Sequence, residues 1–185
     1  MSIPIPTGLA AVISTYGNPA AGDQVNPQWY AENVVLMDLP YRMVLAWDKD
    51  QSVRRIPVHK LAAPDLKAIL TEIWAHLRLE VKKEHGFDLT SEQYDQLTAR
   101  KARRYGVDLF GGAYNYRVKR GGTELSMHAY GVAIDLDPER NAMGDTTPAM
   151  PKFVVEAFER RGWVWGGRWK GRNCDGMHFQ RARGA

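Results

Sequence analysis

Between residues 64 and 85, the apolar positions Leu66, Ile69, Leu70, Ile73, Trp74, Leu77 and Val81 recur every three or four residues. That spacing lays a single stripe along an α-helix. Pro64 suits the first turn, where its missing N–H has no helical partner to lose, and Lys82, Lys83 and Gly86 suit the C-terminal end. A more polar helix is predicted over residues 91–104, stopping before Gly106. A third is predicted over residues 148–161, carrying Phe153, Val154, Ala157 and Phe158 and ending at Gly162.

Elsewhere the pattern shortens to a period of two. Residues 34–37 and 41–47 are predicted strands on either side of Pro40, with Tyr41, Met43, Leu45 and Trp47 on one face. Over residues 132–137, Val132, Ile134 and Leu136 alternate with Ala133, Asp135 and Asp137, so the first three should face the core and the others the opposite side. Met177 and Phe179 likewise turn inward, and His178 and Gln180 point the other way. Helices backing a sheet whose open face carries polar residues make an α+β arrangement, with a cleft on that face. The first thirty residues, rich in Gly, Pro and Asn, are predicted to be an irregular arm with short elements.

Composition narrows this picture. At 185 residues the chain suits one domain with a full core, taken here as residues 1–185. No apolar run approaches the roughly eighteen residues that span a bilayer. The first basic residue is Arg42, so the beginning lacks the cationic region of a secretory signal, and synthesis in the cytoplasm is the expectation. A lone cysteine, Cys174, excludes an internal disulfide framework and a thiolate metal cage, and is expected to be a packed residue. The net charge of +4 gathers in three runs: Lys101, Arg103 and Arg104; Arg117, Lys119 and Arg120; and Arg168, Lys170, Arg172, Arg181 and Arg183. Such a surface attracts polyanions, although solubility alone accounts for it.

The chemistry concentrates in two segments. The first is Ser126-Met-His128-Ala-Tyr-Gly131-Val-Ala133-Ile-Asp135, and the second is Asp175-Gly-Met-His178. Two imidazoles and one carboxylate suit zinc (Zn2+), and three protein ligands leave a fourth position open for water, as in catalytic sites. His128, Asp135 and His178 are therefore the candidate metal ligands, with Asp137 an alternative that spacing alone does not exclude. Asp175, three residues before His178, is the candidate general base, against the plainer reading that it caps a turn. Arg117 suits a substrate carboxylate or a developing oxyanion, against membership of the basic surface. Ser126 and Tyr130 are candidate hydrogen-bonding residues for substrate. His59, His76 and His85 have no matched acid partners and are expected to be structural or solvent-facing. Trp163, Trp165 and Trp169, interleaved with Gly166 and Gly167, are expected to pack around the sheet edge, with a cleft wall as the alternative.

At these residues the chain resembles a family of bacterial and phage zinc peptidases. It comprises D-alanyl-D-alanine carboxypeptidases and L-alanyl-D-glutamate endopeptidases of the endolysin type. The resemblance rests on Ser-x-His-x-x-Gly-x-Ala-x-Asp at 126–135, on Gly162-Trp163-x-Trp165-Gly166-Gly167-x-Trp169, on Asp175-x-x-His178-Phe179, and on Tyr116-Arg117 upstream. It covers roughly residues 105–180, and residues 1–60 contribute little to it. It implies a compact α+β fold with a central antiparallel sheet, flanking helices and one zinc. The implied ligands are His128, Asp135 rather than Asp137, and His178, with Asp175 as the catalytic acid or base and Arg117 as the substrate or transition-state arginine. The acid of the family is often Glu, where this chain has the shorter Asp175. Gln180 stands where related zinc peptidases carry Glu or His, which leaves a role for it open.

The expected function is thus a zinc-dependent hydrolase of the peptidoglycan stem peptide, cutting the L-alanyl-D-glutamate bond as a phage-type endolysin. By that analogy it is a monomer with no specific nucleic-acid partner, released to the wall through a holin. The same site in a D-alanyl-D-alanine carboxypeptidase is the nearest rival. A catalytically inactive module binding wall polymer or nucleic acid is the alternative from another class.

Overall fold

The computed structural model describes residues 4–86 and 88–184, so residues 1–3 of the predicted arm lie outside the described residues. In chain order its elements are α1 (Leu9–Tyr16), β1 (Ala20–Ala21), β2 (Gln24–Val25), α2 (Pro27–Asn33), β3 (Val34–Leu45), β4 (Asp48–His59), α3 (Ala63–His85), α4 (Ser91–Tyr105), β5 (Leu109–Gly112), β6 (Ala133–Leu136), α5 (Lys152–Glu159), β7 (Val164–Trp165) and β8 (His178–Gln180). Among the described residues, β3 to β8 form one sheet in the order β4-β3-β5-β6-β8-β7, beside the small β1–β2 ribbon. Neighbouring strands are antiparallel except β3 and β5, which run parallel. The expected antiparallel sheet is therefore mixed at one joint, where the β4, α3 and α4 segment returns the chain to its starting end. The result is a single α+β domain.

The helical predictions follow the periodicity closely. In α3 the residues Leu66, Ile69, Leu70, Ile73, Leu77 and Val81 are all buried, and Trp74 stacks on Tyr41 of β3 with ring centroids 4.9 Å apart. Helix α3 packs on β3 and against α4 and α5. A capping box between Thr90 and Gln93 starts α4, and Gly106, in the left-handed conformation, ends it. Helix α5 is shorter than predicted, beginning at Lys152 with Pro151 as an extended N-cap. A residue before proline avoids the helical region, so Pro151 postpones the helix until after itself.

The hairpin departs from the pattern in two ways. One strand, β3, runs through Pro40, and its register with β4 shifts between Asp38 and Met43. The proline can sit there because the irregularity removes the ladder bond it could not donate. Tyr41, Met43 and Leu45 are buried as expected, but Trp47 lies in the turn and is 65% exposed. Strand β4 offers no apolar alternation to read, because it is an edge strand buried only from Ile56 onward.

The N-terminal arm is more ordered than expected. Val12 and Tyr16 of α1 are buried, and the Tyr16 hydroxyl donates to the Arg181 carbonyl (2.8 Å) while accepting from Arg181 Nη1 (2.9 Å). Arg181 Nε also reaches Asp65 Oδ2 at 2.9 Å. Arg181 is only 1% exposed and so does not belong to the basic surface. A guanidinium withdrawn from water must be paired, and these groups pair it. Each charge run is neutralised in part: Lys101 meets Glu80 and Glu84, Arg103 meets Asp108, Lys119 meets Glu124, and Arg168 meets Glu159. No helix among the described residues is long and apolar enough to cross a membrane.

Candidate metal centre

Strands β6 and β8 assemble the centre. Their antiparallel register sets Asp135 opposite His178, Ile134 opposite Phe179 and Ala133 opposite Gln180. Directly opposed residues put their side chains on the same face, so one ladder delivers a carboxylate and an imidazole side by side. Val132, Ile134, Leu136 and Phe179 are fully buried on the core side, as alternation predicts, whereas Met177, expected beside Phe179, lies before the strand and lines the cleft.

His128 arrives from the turn before β6. The turn closes through Gly131, whose φ of +68° favours glycine, and an added Cβ there would lie 2.8 Å from the His59 backbone nitrogen. Ser126 shapes the same turn: its Oγ accepts from the His128 N–H at 3.3 Å. The His128 ring is held by Nδ1, which donates to the Ala113 carbonyl at 2.5 Å, just beyond the end of β5. A carbonyl can only accept, so that nitrogen carries the proton and Nε2 is left bare.

Three ligand atoms converge as a result. His128 Nε2 is 3.2 Å from Asp135 Oδ1 and 3.1 Å from His178 Nδ1, which is itself 3.0 Å from Asp135 Oδ1. In a tetrahedral site with bonds near 2.05 Å, ligand atoms stand about 3.3 Å apart. The triangle is within a few tenths of an ångström of that spacing, and two neutral imidazoles and a carboxylate suit zinc. Burial pushes the Asp135 carboxyl up, but the proximity of the His128 and His178 rings outweighs this and holds it well below the usual range. For His178, burial alone would lower the pKa, and the Asp135 carboxylate beside the ring raises it instead. Three close acceptor atoms of this kind could hold a cation between them.

Asp137 is not part of this group. Strand β6 ends at Leu136, and Asp137 turns to φ +50°, sending its carboxylate to Arg140 Nε at 2.8 Å and Asn141 Nδ2 at 2.9 Å. The alternation that put it on the ligand face fails because the strand stops one residue earlier. The face is also less open than predicted, since His128, His178 and Gln180 are all buried.

A cleft of about 830 Å³ opens over the triangle, and Asp175, Arg117 and Ser126 line it. Asp175 sits beside Gly166, where an added Cβ would lie 2.5 Å from the Asp175 carbonyl oxygen; the backbone there has room only for glycine. Among the described residues Asp175 Oδ1 is buried with no hydrogen-bond partner. Burial is the main cause that raises its pKa above the ordinary carboxylate value. Arg117 makes one long contact, from Nη1 to the Val118 carbonyl at 3.4 Å. Tyr116 before it ties the segment to the arm through its hydroxyl, which donates to the Gln24 carbonyl at 2.8 Å. Tyr130 is placed elsewhere, with its side chain in the hydrophobic core and outside the cleft lining.

The aromatic and cysteine residues divide by position. Trp163 is buried against Phe158, whereas Trp169 lines the cleft with its ring 5.5 Å from that of His178. Cys174 is buried and free. His59 is buried too, with Nε2 3.1 Å from the Tyr16 carbonyl and Nδ1 accepting from the Leu61 N–H. His76 stacks on Phe153 at the surface of α3. Arg120, Met143 and Lys170 also line the cleft, where sequence reasoning assigns none of them a place. Only the excess of cations after residue 116 hints at two of them.

With this geometry in view, the model of the D-alanyl-D-alanine carboxypeptidase family matches residues 120–181, about a third of the chain. The match contains His128, Asp135, Asp175 and His178 and stops short of Arg117. Neither the curated proteins nor the solved structures give a match.

Proposed function

We propose that the chain is a zinc-dependent peptidase of peptidoglycan that hydrolyses the L-alanyl-D-glutamate bond of the stem peptide. The observation that carries the reading is the convergence of His128 Nε2, Asp135 Oδ1 and His178 Nδ1 beneath a cleft that also holds the unpartnered carboxylate oxygen of Asp175. The likeness of residues 120–181 to the carboxypeptidase family supports the substrate class.

Each side chain then has a defined task. His128, Asp135 and His178 would hold the metal, which when bound supplies Lewis acidity at the scissile amide. Asp175, partly desolvated and with a free oxygen, takes a proton from the attacking water and delivers it to the departing amine as the C–N bond breaks. Its raised pKa fits a group that must both accept and return that proton. Arg117, paired with no carboxylate among the described residues, is available to a substrate carboxylate. Arg120 and Lys170 add positive charge along the same wall. The D-glutamyl residue beyond the scissile bond presents an anion suited to that lining.

The matched family, by its name, favours a second reading: removal of the terminal D-alanine by the same residues. Digesting purified sacculi and identifying the new termini by mass spectrometry separates the two. New L-alanine carboxyl and D-glutamate amino termini are expected. Loss of terminal D-alanine alone would replace the endopeptidase with the carboxypeptidase, and no release at all would leave a binding module.

A further inference from the structure

Both metal-facing imidazoles are pinned from behind, but by different means. His128 leans on a backbone carbonyl, that of Ala113, which no substitution removes. His178 leans on a side chain: its Nε2 is 3.0 Å from Gln180 Oε1. The orientation of that amide is itself determined. Gln180 Nε2 donates to the Ala182 carbonyl at 3.0 Å, and a carbonyl offers no proton in return. The NH2 group therefore faces Ala182 and the oxygen faces His178. An amide oxygen is also only an acceptor, so His178 Nε2 must carry a proton, and in the neutral ring that leaves Nδ1 bare.

The strand makes this contact possible. Residues 178 and 180 share a face of β8, and on β6 the residue opposite Gln180 is Ala133. A small residue there leaves the amide space to lie flat behind the imidazole. Gln180 is only 3% exposed, so water does not compete for its oxygen.

We propose that Gln180 is the positioning residue of the metal centre, setting the tautomer and ring orientation of His178 so that Nδ1 joins the triangle. The inference rests on the metal-centre reading but makes a claim about the metal-free protein as well. A hydrogen-bond partner behind a ligand imidazole typically changes metal affinity ten- to a hundredfold. The neutral amide also fixes the ring without adding a second negative charge to the site, which a carboxylate at this position would do.

The test uses the full chain and three variants, Gln180→Leu, Gln180→Asn and Gln180→Glu. In metal-free protein, at a pH high enough for the His178 ring to be neutral, imidazole nitrogen NMR should show a single form protonated at Nε2. Gln180→Leu removes the acceptor, and Gln180→Asn, one methylene shorter, withdraws it. Each should mix the tautomers and weaken zinc binding roughly ten- to a hundredfold in a chelator competition. Gln180→Asn keeps the experiment decisive if the leucine variant does not fold. Gln180→Glu still accepts from Nε2 but no longer donates to Ala182, and should keep the single tautomer and bind zinc at least as tightly as the parent. If Gln180→Leu or Gln180→Asn kept both the tautomer and an affinity within twofold, the proposal would be overturned. The same follows if affinity in all three variants merely tracked their thermal stability. If the parent chain bound no zinc, the peptidase reading would fall, while the tautomer comparison would still decide what Gln180 does.

Discussion

Asp135 and His178 stand directly opposite each other on β6 and β8, with Oδ1 and Nδ1 3.0 Å apart. Two strands separated by more than forty residues thus meet in a register that a slip of one residue would destroy. Such a slip would turn one strand over against the other, sending Ile134 or Phe179 into the cleft and the candidate ligand beside it into the core. The apolar alternation of β6 therefore does more than build a core: by holding the register it holds the site.

Removing one corner of the triangle should abolish stoichiometric zinc. His178→Ala and Asp135→Ala are each expected to leave protein that folds but retains no zinc after gel filtration, measured on material purified without a metal-affinity tag. For the parent chain, metal that binds only the folded state should add about 2.7 kcal/mol of stability at a hundredfold excess over its dissociation constant. Chelation should accordingly lower the thermal midpoint of the parent and leave that of His178→Ala unchanged. Equal midpoints for the parent with and without chelator would count against a metal centre.

Asp175→Asn keeps the size of the side chain and removes the proton acceptor. Zinc content is expected to stay at the parental level while hydrolysis of sacculi falls by about 10²–10⁴-fold. Near-parental turnover in this variant would mean that another group moves the proton. Loss of zinc together with activity would make Asp175 a ligand.

Much of this site is legible in the amino-acid order alone. His128, Asp135 and His178 stand out because their residue types and spacing are restrictive, and α3 because its long apolar stripe keeps a helical period that no strand shares. Strand β4 is not legible, since an edge strand buried over only part of its length leaves no clean period. Tyr130 shows the limit of reading chemistry from proximity in sequence: it follows a candidate ligand by two residues, yet the turn at Gly131 sends it to the core. Asp137 shows the limit of periodicity, which gives the phase of a strand but not its end. Arg181 reads as a surface charge because its partners, Tyr16 and Asp65, are distant in sequence.

Stability should fall on mild acidification through His59. Burial, its largest influence, lowers the folded-state pKa from 6.5 to about 4, with Lys60 and Arg181 acting in the same direction and the Tyr16 carbonyl opposing. Below pH 6.5 the unfolded chain takes up a proton at this site that the folded chain refuses. The contribution is therefore complete above pH 6.5 and lost progressively as the pH falls to about 4, amounting to about 3 kcal/mol in all. Urea unfolding at pH 7.5 and pH 4.5 should show a smaller drop in His59→Gln than in the parent. Parallel pH profiles would remove His59 as the cause.

The contacts of Arg181, just after β8, with Tyr16 of α1 and Asp65 of α3 give the last prediction. Arg181→Met fills a similar volume without the charge, leaving Asp65 without the guanidinium and the Tyr16 hydroxyl without one donor. The Tyr16 bond to the backbone carbonyl of residue 181 survives, because it does not involve the side chain. The expected cost is about 2–4 kcal/mol, at the lower side of what breaking a buried ion pair costs, since Asp65 keeps some contact with water. Adding Asp65→Leu should recover part of that loss, because the stranded carboxylate and not the missing arginine is the larger penalty. Urea midpoints of the parent, the two single variants and the double variant measure this coupling. A double variant no more stable than Arg181→Met would show that the pair contributes through packing and not through charge.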